Sequence, residues 1–153
     1  DEAGVDLALA FMERIHAPKR FHAPVADVVK LHMRHINDIT PKSARRFASK
    51  LINITLEDWM AIVEADYSGR PPLPVGIPES AQKLAGFIVE AKENNQVEPL
   101  VMGRHIIEAG FKPSPKFGEV LKAVYEIQID QALSFDELRD IAVDMMNGDY
   151  IPF

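Results

Sequence analysis

The chain has 153 residues, of which 47% are hydrophobic, and a net charge of −6 at neutral pH. That apolar content supports a packed core and excludes disorder, and the length accommodates one ordinary domain or two small lobes. The absence of cysteine excludes a disulfide framework and sulfur-ligated zinc and fits a cytoplasmic protein, and no apolar run approaches the roughly 18 residues of a membrane helix.

Every ordered segment reads as helix. Residues 3–15 carry Val5, Leu7, Leu9, Phe11, Met12 and Ile15 on a broad apolar face, and Pro18 is expected to end that helix. Residues 24–36 are mostly apolar, with Val25, Val28, Val29, Leu31, Met33 and Ile36. Thr40 followed by Pro41 is a cap and first helical position for a third helix over 41–50, with Ala44, Phe47, Ala48 and Leu51 on one side. Thr55 starts a fourth over 56–66, with Trp59, Ile62 and Val63 inward. The stretch RPPLPVGIP (70–78) suits neither a helix nor a central strand and is the candidate linker. A long helix over 79–94 turns Leu84, Phe87, Ile88 and Ala91 inward. Helices over 103–109 and 115–129 follow, and Ser134 with Glu137 makes a capping box for a last helix to about residue 147. The expected fold is all-α, a multi-helix array of two small lobes, 1–70 and 79–153, joined by a Pro-rich linker and divided at about residue 74. Trp59 and the phenylalanines fall at helical spacing among apolar residues. They are expected in the core ahead of any role as base-stacking platforms.

Charge is unevenly spread. From Glu13 to Lys50 nine Lys or Arg residues face only Glu13, Asp27 and Asp38, while the rest of the chain is strongly acidic. A basic lobe on an acidic protein is the footprint of a polyanionic partner, although a solvated helical face has the same composition. Arg34, Arg45 and Arg46 belong to this lobe.

The segment Pro99–Gln128 carries the most information. Gly103 opens a short helix and Gly110 closes it, since glycine adopts the left-handed conformation of a helix end without a Cβ clash. Pro113 stops Lys112 from continuing the helix, Ser114 is placed to cap the next one with Pro115 at its first position, and Gly118 permits close backbone approach. Lys112 and Lys116 flank the turn. Exposed amides at a helix N-terminus and two cations suit a phosphate, while a plain packing turn with two solvated lysines has the same spacing.

The order of these residues resembles the C-terminal region of bacterial tRNA nucleotidyltransferases, the CCA-adding enzymes and their poly(A) polymerase relatives. The resemblance is carried by Pro99, Leu100, Val101, Gly103, Arg104, Ile106, Ile107, Gly110, Phe111, Pro113, Pro115, Phe117, Gly118, Leu121 and Gln128. Two positions depart from the family pattern: His105 stands where an Asp is usual, and Ser114 where a Gly is usual. VVKLHMRHI (28–36), EADYSGR (64–70) and the opening EAGV (2–5) resemble parts of the HD-type domain that follows the catalytic domain in many of these enzymes, in which the Asp corresponding to Asp66 can be a metal ligand.

The resemblance implies an RNA-holding region rather than a catalytic one. No paired aspartates of a two-metal nucleotidyl-transfer site stand in a strand-like context, and there is no adjacent His-Asp dyad. Because the chain starts at Asp1 without Met, the expectation is a C-terminal piece of a longer protein whose N-terminal catalytic domain is missing. Mg2+ and CTP or ATP are expected only for that intact parent; no catalytic residue, metal ligand or cofactor is assigned here. The expected partner is tRNA or another structured RNA. Its contacts are expected at Arg104, Lys112, Lys116 and Lys122 around the turn and at Arg34, Arg45 and Arg46 on the basic lobe. A protonated His105 would add a phosphate contact, as against an ordinary exposed helix histidine. His32 and His35, one turn apart, together with Asp66, are the only candidates for a residual metal site. Two other readings compete: the remnant of a metal-dependent HD-type phosphohydrolase, and a free-standing helical module that binds RNA or protein.

Overall fold

The computed structural model describes residues 2–33, 38–72 and 74–150, with Glu2 described in its backbone only. These residues form eight α-helices and no strand, as the periodicity predicts. The chain separates into two compact units, residues 1–89 and 90–153. Among the described residues no helix is long and apolar enough to cross a membrane.

In the first unit α1 (Glu2–Arg14) packs on α2 (His22–Leu31), through a face that includes the buried Val5 and Met12. Gly4 permits this approach, since a Cβ there would lie 3.1 Å from Val29 Cγ1. The end of α1 is set by His16 rather than by Pro18. His16 has φ +54°, its N–H donates to Glu13 O at 3.0 Å, and the Ala17 N–H reaches back to Met12 O at 2.9 Å. This is a Schellman closure with a non-glycine residue in the left-handed position. A 3-10 turn, Lys19–Phe21, leads into α2, which tolerates Pro24 because N–H groups in the first turn have no intrahelical acceptor and the one proline lacks is not missed. Residues 34–36, expected to continue that helix, lie outside the described residues.

Local capping chemistry starts the next two helices. In α3 (Pro41–Ala48) the Thr40 hydroxyl accepts the Ser43 N–H at 3.1 Å, and Ser43 Oγ accepts the Thr40 N–H at 2.9 Å. In α4 (Leu56–Ser68) the Asp58 N–H donates to Thr55 Oγ1 at 3.1 Å and the Asp58 carboxylate accepts the Thr55 N–H at 3.0 Å. Trp59 is fully buried, meets Phe47 edge-on with ring centroids 4.9 Å apart, and donates its indole N–H to Leu31 O at 3.0 Å. That bond ties α4 to the end of α2 and satisfies the one polar atom of a large core side chain. The described residues of the Pro-rich stretch, 70–72 and 74–78, belong to this unit. The Gly76 N–H donates to Ser68 Oγ and Gln82 Nε2 donates to Ile77 O, which tie it to α4 and to α5 (Glu79–Glu93).

The division between the units falls inside α5, which ends in another Schellman closure at Asn95, φ +54°. The second unit continues with α6 (Gly103–Glu108), α7 (Lys116–Gln131) and α8 (Phe135–Asn147). Val101, Ile106, Phe117, Val120, Val124, Leu138 and Ala142 form its core. Gln128, only 1% exposed, holds the strap before α6: Nε2 donates to Glu98 O at 2.7 Å and Oε1 accepts the Leu100 N–H at 3.0 Å. The Tyr125 hydroxyl adds a bond to Val97 O at 2.8 Å. The capping box expected at Ser134 and Glu137 starts α8, and Gly148, φ +88°, closes it.

Candidate nucleic-acid interface

The turn between α6 and α7 is built by its glycine. Gly110 has φ +96°, its N–H donates to Ile107 O at 2.9 Å, and the Phe111 N–H reaches Ile106 O at 3.3 Å. The same closure turns Phe111 onto the core beside the buried Ile106. The chain therefore leaves α6 abruptly and presents Lys112 to solvent.

Two expectations for this turn are corrected. Ser114 does not cap α7: the helix begins at Lys116 with no side-chain cap, and the Ser114 carbonyl accepts the Phe117 N–H at 3.0 Å instead. Gly118 accommodates no close backbone, since a Cβ built there meets nothing within 4 Å. With six residues, α6 is too short to offer a strong terminal dipole.

The cations of this unit differ in what they already do. Arg104 is exposed, and its Nε–H points at His105 Nε2 at 3.0 Å. His105 Nδ1 lies 3.0 Å from the Met102 N–H, at the start of α6, and its ring stands edge-on to Phe135 at 4.9 Å. A neutral imidazole has one acceptor nitrogen, so only one of these two donors is satisfied at a time. His105 is thus engaged at the helix start rather than held out as a phosphate contact. Lys116 is exposed along its stem, but Nζ donates to Met146 O at 3.0 Å, a carbonyl in the last turn of α8. That is a favourable place for a cation, and it gives Lys116 a structural job. Lys112 and Lys122 are exposed; Lys122 has Glu119 and Glu126 at helical neighbour spacing, which lowers the local positive charge.

Comparison with family models, with curated proteins and with solved structures finds no match.

In the first unit the basic residues separate by burial. Arg46 is exposed on α3, with Lys42 before it and Lys50 just past the helix, also exposed. Arg45 is only 7% exposed, which removes it from the surface that a phosphate reaches. Arg34 lies outside the described residues. Sequence reasoning passed over Lys50 as a contact, although its spacing of four from Arg46 is the signal that the two share a side of the chain. The aromatic residues also divide. Trp59, Phe47 and Phe117 are buried as expected, whereas Phe11, Phe21 and Phe135 are exposed. Arg14 lies 5.4 Å over the Phe11 ring and Arg20 lies 4.8 Å over Phe21.

Of the metal-site candidates, His32 and Asp66 each have other partners. His32 Nδ1 faces the carbonyls of Val28 and Val29 at 3.2 and 3.1 Å, and Asp66 forms an ion pair with Arg70. His35 lies outside the described residues. Among the described residues, no three His, Cys, Asp or Glu side chains gather as a metal site would require.

The carboxyls of Asp58 and Glu137 are shifted, both at caps. Hydrogen bonds from the Thr55 backbone and then its hydroxyl hold Asp58 below the usual Asp range. Those from the Ser134 hydroxyl and then its backbone do the same for Glu137. These are helix-start devices, and neither belongs to the candidate interface.

Proposed function

We propose that this chain holds structured RNA, tRNA in the first place, as the C-terminal helical region of a tRNA nucleotidyltransferase-like protein. Its cations grip phosphates and position the RNA body. Template-free addition of CMP and AMP, or AMP alone, with its Mg2+ and nucleoside triphosphates, belongs to a catalytic domain elsewhere in the parent. Phosphate contacts of this kind set register and orientation without reading sequence.

The observation that carries the reading is the division of labour within Pro99–Gln128. The apolar and special residues of the family-like pattern have identifiable folding roles: Gly110 closes α6, Ile106, Phe117 and Val101 are core, and Gln128 clamps the strap. Folding accounts less well for the exposed cations Arg104, Lys112 and Lys122, and phosphate binding would give them a use.

Anisotropy titration of fluorescent tRNA over a salt series tests this. The expected result is binding whose affinity falls steeply with salt, with the slope shrinking by about one for each phosphate contact removed. Lack of binding at about 50 mM salt, where phosphate contacts are strongest, would overturn the reading.

A further inference from the structure

We propose that the connection from α1 to α2, residues 11–22, binds an unpaired stretch of RNA by stacking its bases on Phe11 and Phe21. The proposal rests on the RNA-holding reading and assigns single-stranded RNA to the first unit.

Phe11 is 51% exposed and Phe21 45%, so each ring offers a base an open surface. Trp59 and Phe47 of the same unit are buried and offer none. Each open ring also carries a guanidinium, Arg14 at 5.4 Å from the centre of Phe11 and Arg20 at 4.8 Å from that of Phe21. Bases stack on guanidinium planes as they do on aromatic faces, so the pair widens the platform and sets a positive charge beside it. A single exposed phenylalanine needs no explanation. Two in one connection, each beside a cation and with the exposed Ile15 between them in sequence, call for one.

The end of α1 and the start of α2 also frame an open depression of about 710 Å³, lined by Glu13, His16, Ala17, Lys19 and His22. Sites for small molecules run to roughly 300–1,000 Å³, so a nucleotide has room here. Lys19 is exposed, and among the described residues no carboxylate pairs with it, with Arg14 or with Arg20. Glu13 is the one acid of the connection. His22 Nε2 lies 3.4 Å from Ala17 O, which turns that ring towards the chain. Lys19 therefore takes the phosphate. Glu13 repels it and accepts instead from a ribose 2′-hydroxyl or an exocyclic base amine. A nucleotide carries both kinds of group, and the 2′-hydroxyl is the one that distinguishes RNA from DNA.

Stacking selects the state of the strand. In a duplex the base faces are covered by their neighbours, whereas unpaired bases turn out onto aromatic side chains. Stacking is also tolerant of sequence, because every base has a face to offer.

Anisotropy titration of the chain over a salt series tests this, with fluorescent single-stranded oligoadenylate, an RNA duplex of the same length and tRNA as probes. The expected result is that the single strand binds more tightly than the duplex. Phe11→Leu and Phe21→Leu should each weaken single-strand binding about tenfold without changing its salt slope, while Phe11→Tyr and Phe21→Tyr retain it. Lys19→Ala should lower the slope by about 0.7, the value of one phosphate contact on a single strand. Both rings are exposed, so the leucine variants should melt with the wild type. Leucine variants that bind the single strand like wild type, or a duplex bound as tightly as the strand, overturn the proposal. So does binding of phosphatidylserine vesicles that the leucine variants lose, without binding of the single strand, which assigns the rings to a lipid surface. Binding of tRNA but not of the single strand overturns the connection and leaves the RNA-holding reading standing. Single-strand binding lost in the leucine variants, without any tRNA binding, supports the connection and overturns the tRNA reading.

Discussion

Gln128 Oε1 accepts the Leu100 N–H at 3.0 Å across 28 residues of chain, while Nε2 of the same carboxamide donates to Glu98 O at 2.7 Å. One side chain therefore satisfies a donor and an acceptor on the strap that precedes α6, and does so from a position only 1% exposed. The strap delivers Val101 to the core and sets where α6, and with it Arg104, begins.

Gln128→Leu keeps the approximate volume but leaves both backbone groups without their partner. The expected loss of stability is about 2–4 kcal/mol, the sum of two partly buried unsatisfied groups. Gln128→Glu keeps the acceptor but sets a carboxylate against the Glu98 carbonyl, and should also destabilise. Urea denaturation measures both. A loss under about 0.5 kcal/mol for the Leu variant would mean that water replaces the clamp without cost.

The two glycines of the turn should respond to alanine with opposite signs. Gly110 has φ +96° and open space around it, so Gly110→Ala suffers from backbone conformation alone, by about 1–2 kcal/mol. Gly118 sits within α7 with nothing within 4 Å of a built Cβ, so Gly118→Ala should stabilise by about 0.5–1 kcal/mol. Thermal melts of the two variants check the pair. If RNA backbone approaches Gly118 in the complex, the same alanine will weaken tRNA binding even as it raises the melting temperature.

The capping boxes predict an acid limb. Asp58 and Glu137 are both held below their ordinary values of 3.8 and 4.5 by hydrogen bonds in the folded state. A depressed folded pKa means that the unfolded chain takes up the proton first. The stabilisation is therefore complete above the ordinary values and is lost as pH falls through the lower folded ones. Stability should decline from about pH 4.5 downward, and the decline should be shallower in Asp58→Asn and Glu137→Gln. Chemical denaturation between pH 3 and 7 reads this directly; identical acid limbs in wild type and both variants would remove the caps as its cause.

What was legible in the sequence is what depends on near neighbours. Thr40, Thr55 and Ser134 announce their helices because the capping partner stands three residues on, and Gly110 announces an end because few residues adopt its conformation. Asn95 and His16 also lie at positive φ at helix ends and are of types enriched there, whereas Ala132, at φ +54°, gives no sign of it. Packing beyond the helix decides the direction in which the chain leaves, and overrides residue preference. Arg45 and Arg46 are adjacent and chemically identical, so composition could not tell that one is buried and the other exposed; the helical rotation of α3 makes the difference. The bond from Lys116 to Met146, across 30 residues, was likewise beyond local reading.

That bond separates the two lysines that the sequence treats as a pair. Lys112 is exposed on the turn, whereas Lys116 already places its ammonium on the last turn of α8. Lys112→Glu should leave stability within about 0.5 kcal/mol, as surface changes do, and weaken tRNA binding with a flatter salt dependence. Lys116→Glu puts a negative charge at the negative end of a helix dipole and should cost about 1 kcal/mol of stability before any RNA is added. Lys116→Met keeps much of the stem and loses only the cation, so its stability cost should be smaller, about 0.3–1 kcal/mol. Parallel denaturation and tRNA titration of the three variants resolve the roles. If Lys116→Met weakens tRNA as much as Lys112→Glu does while melting like wild type, Lys116 acts on the RNA and the bond to Met146 contributes nothing to the fold.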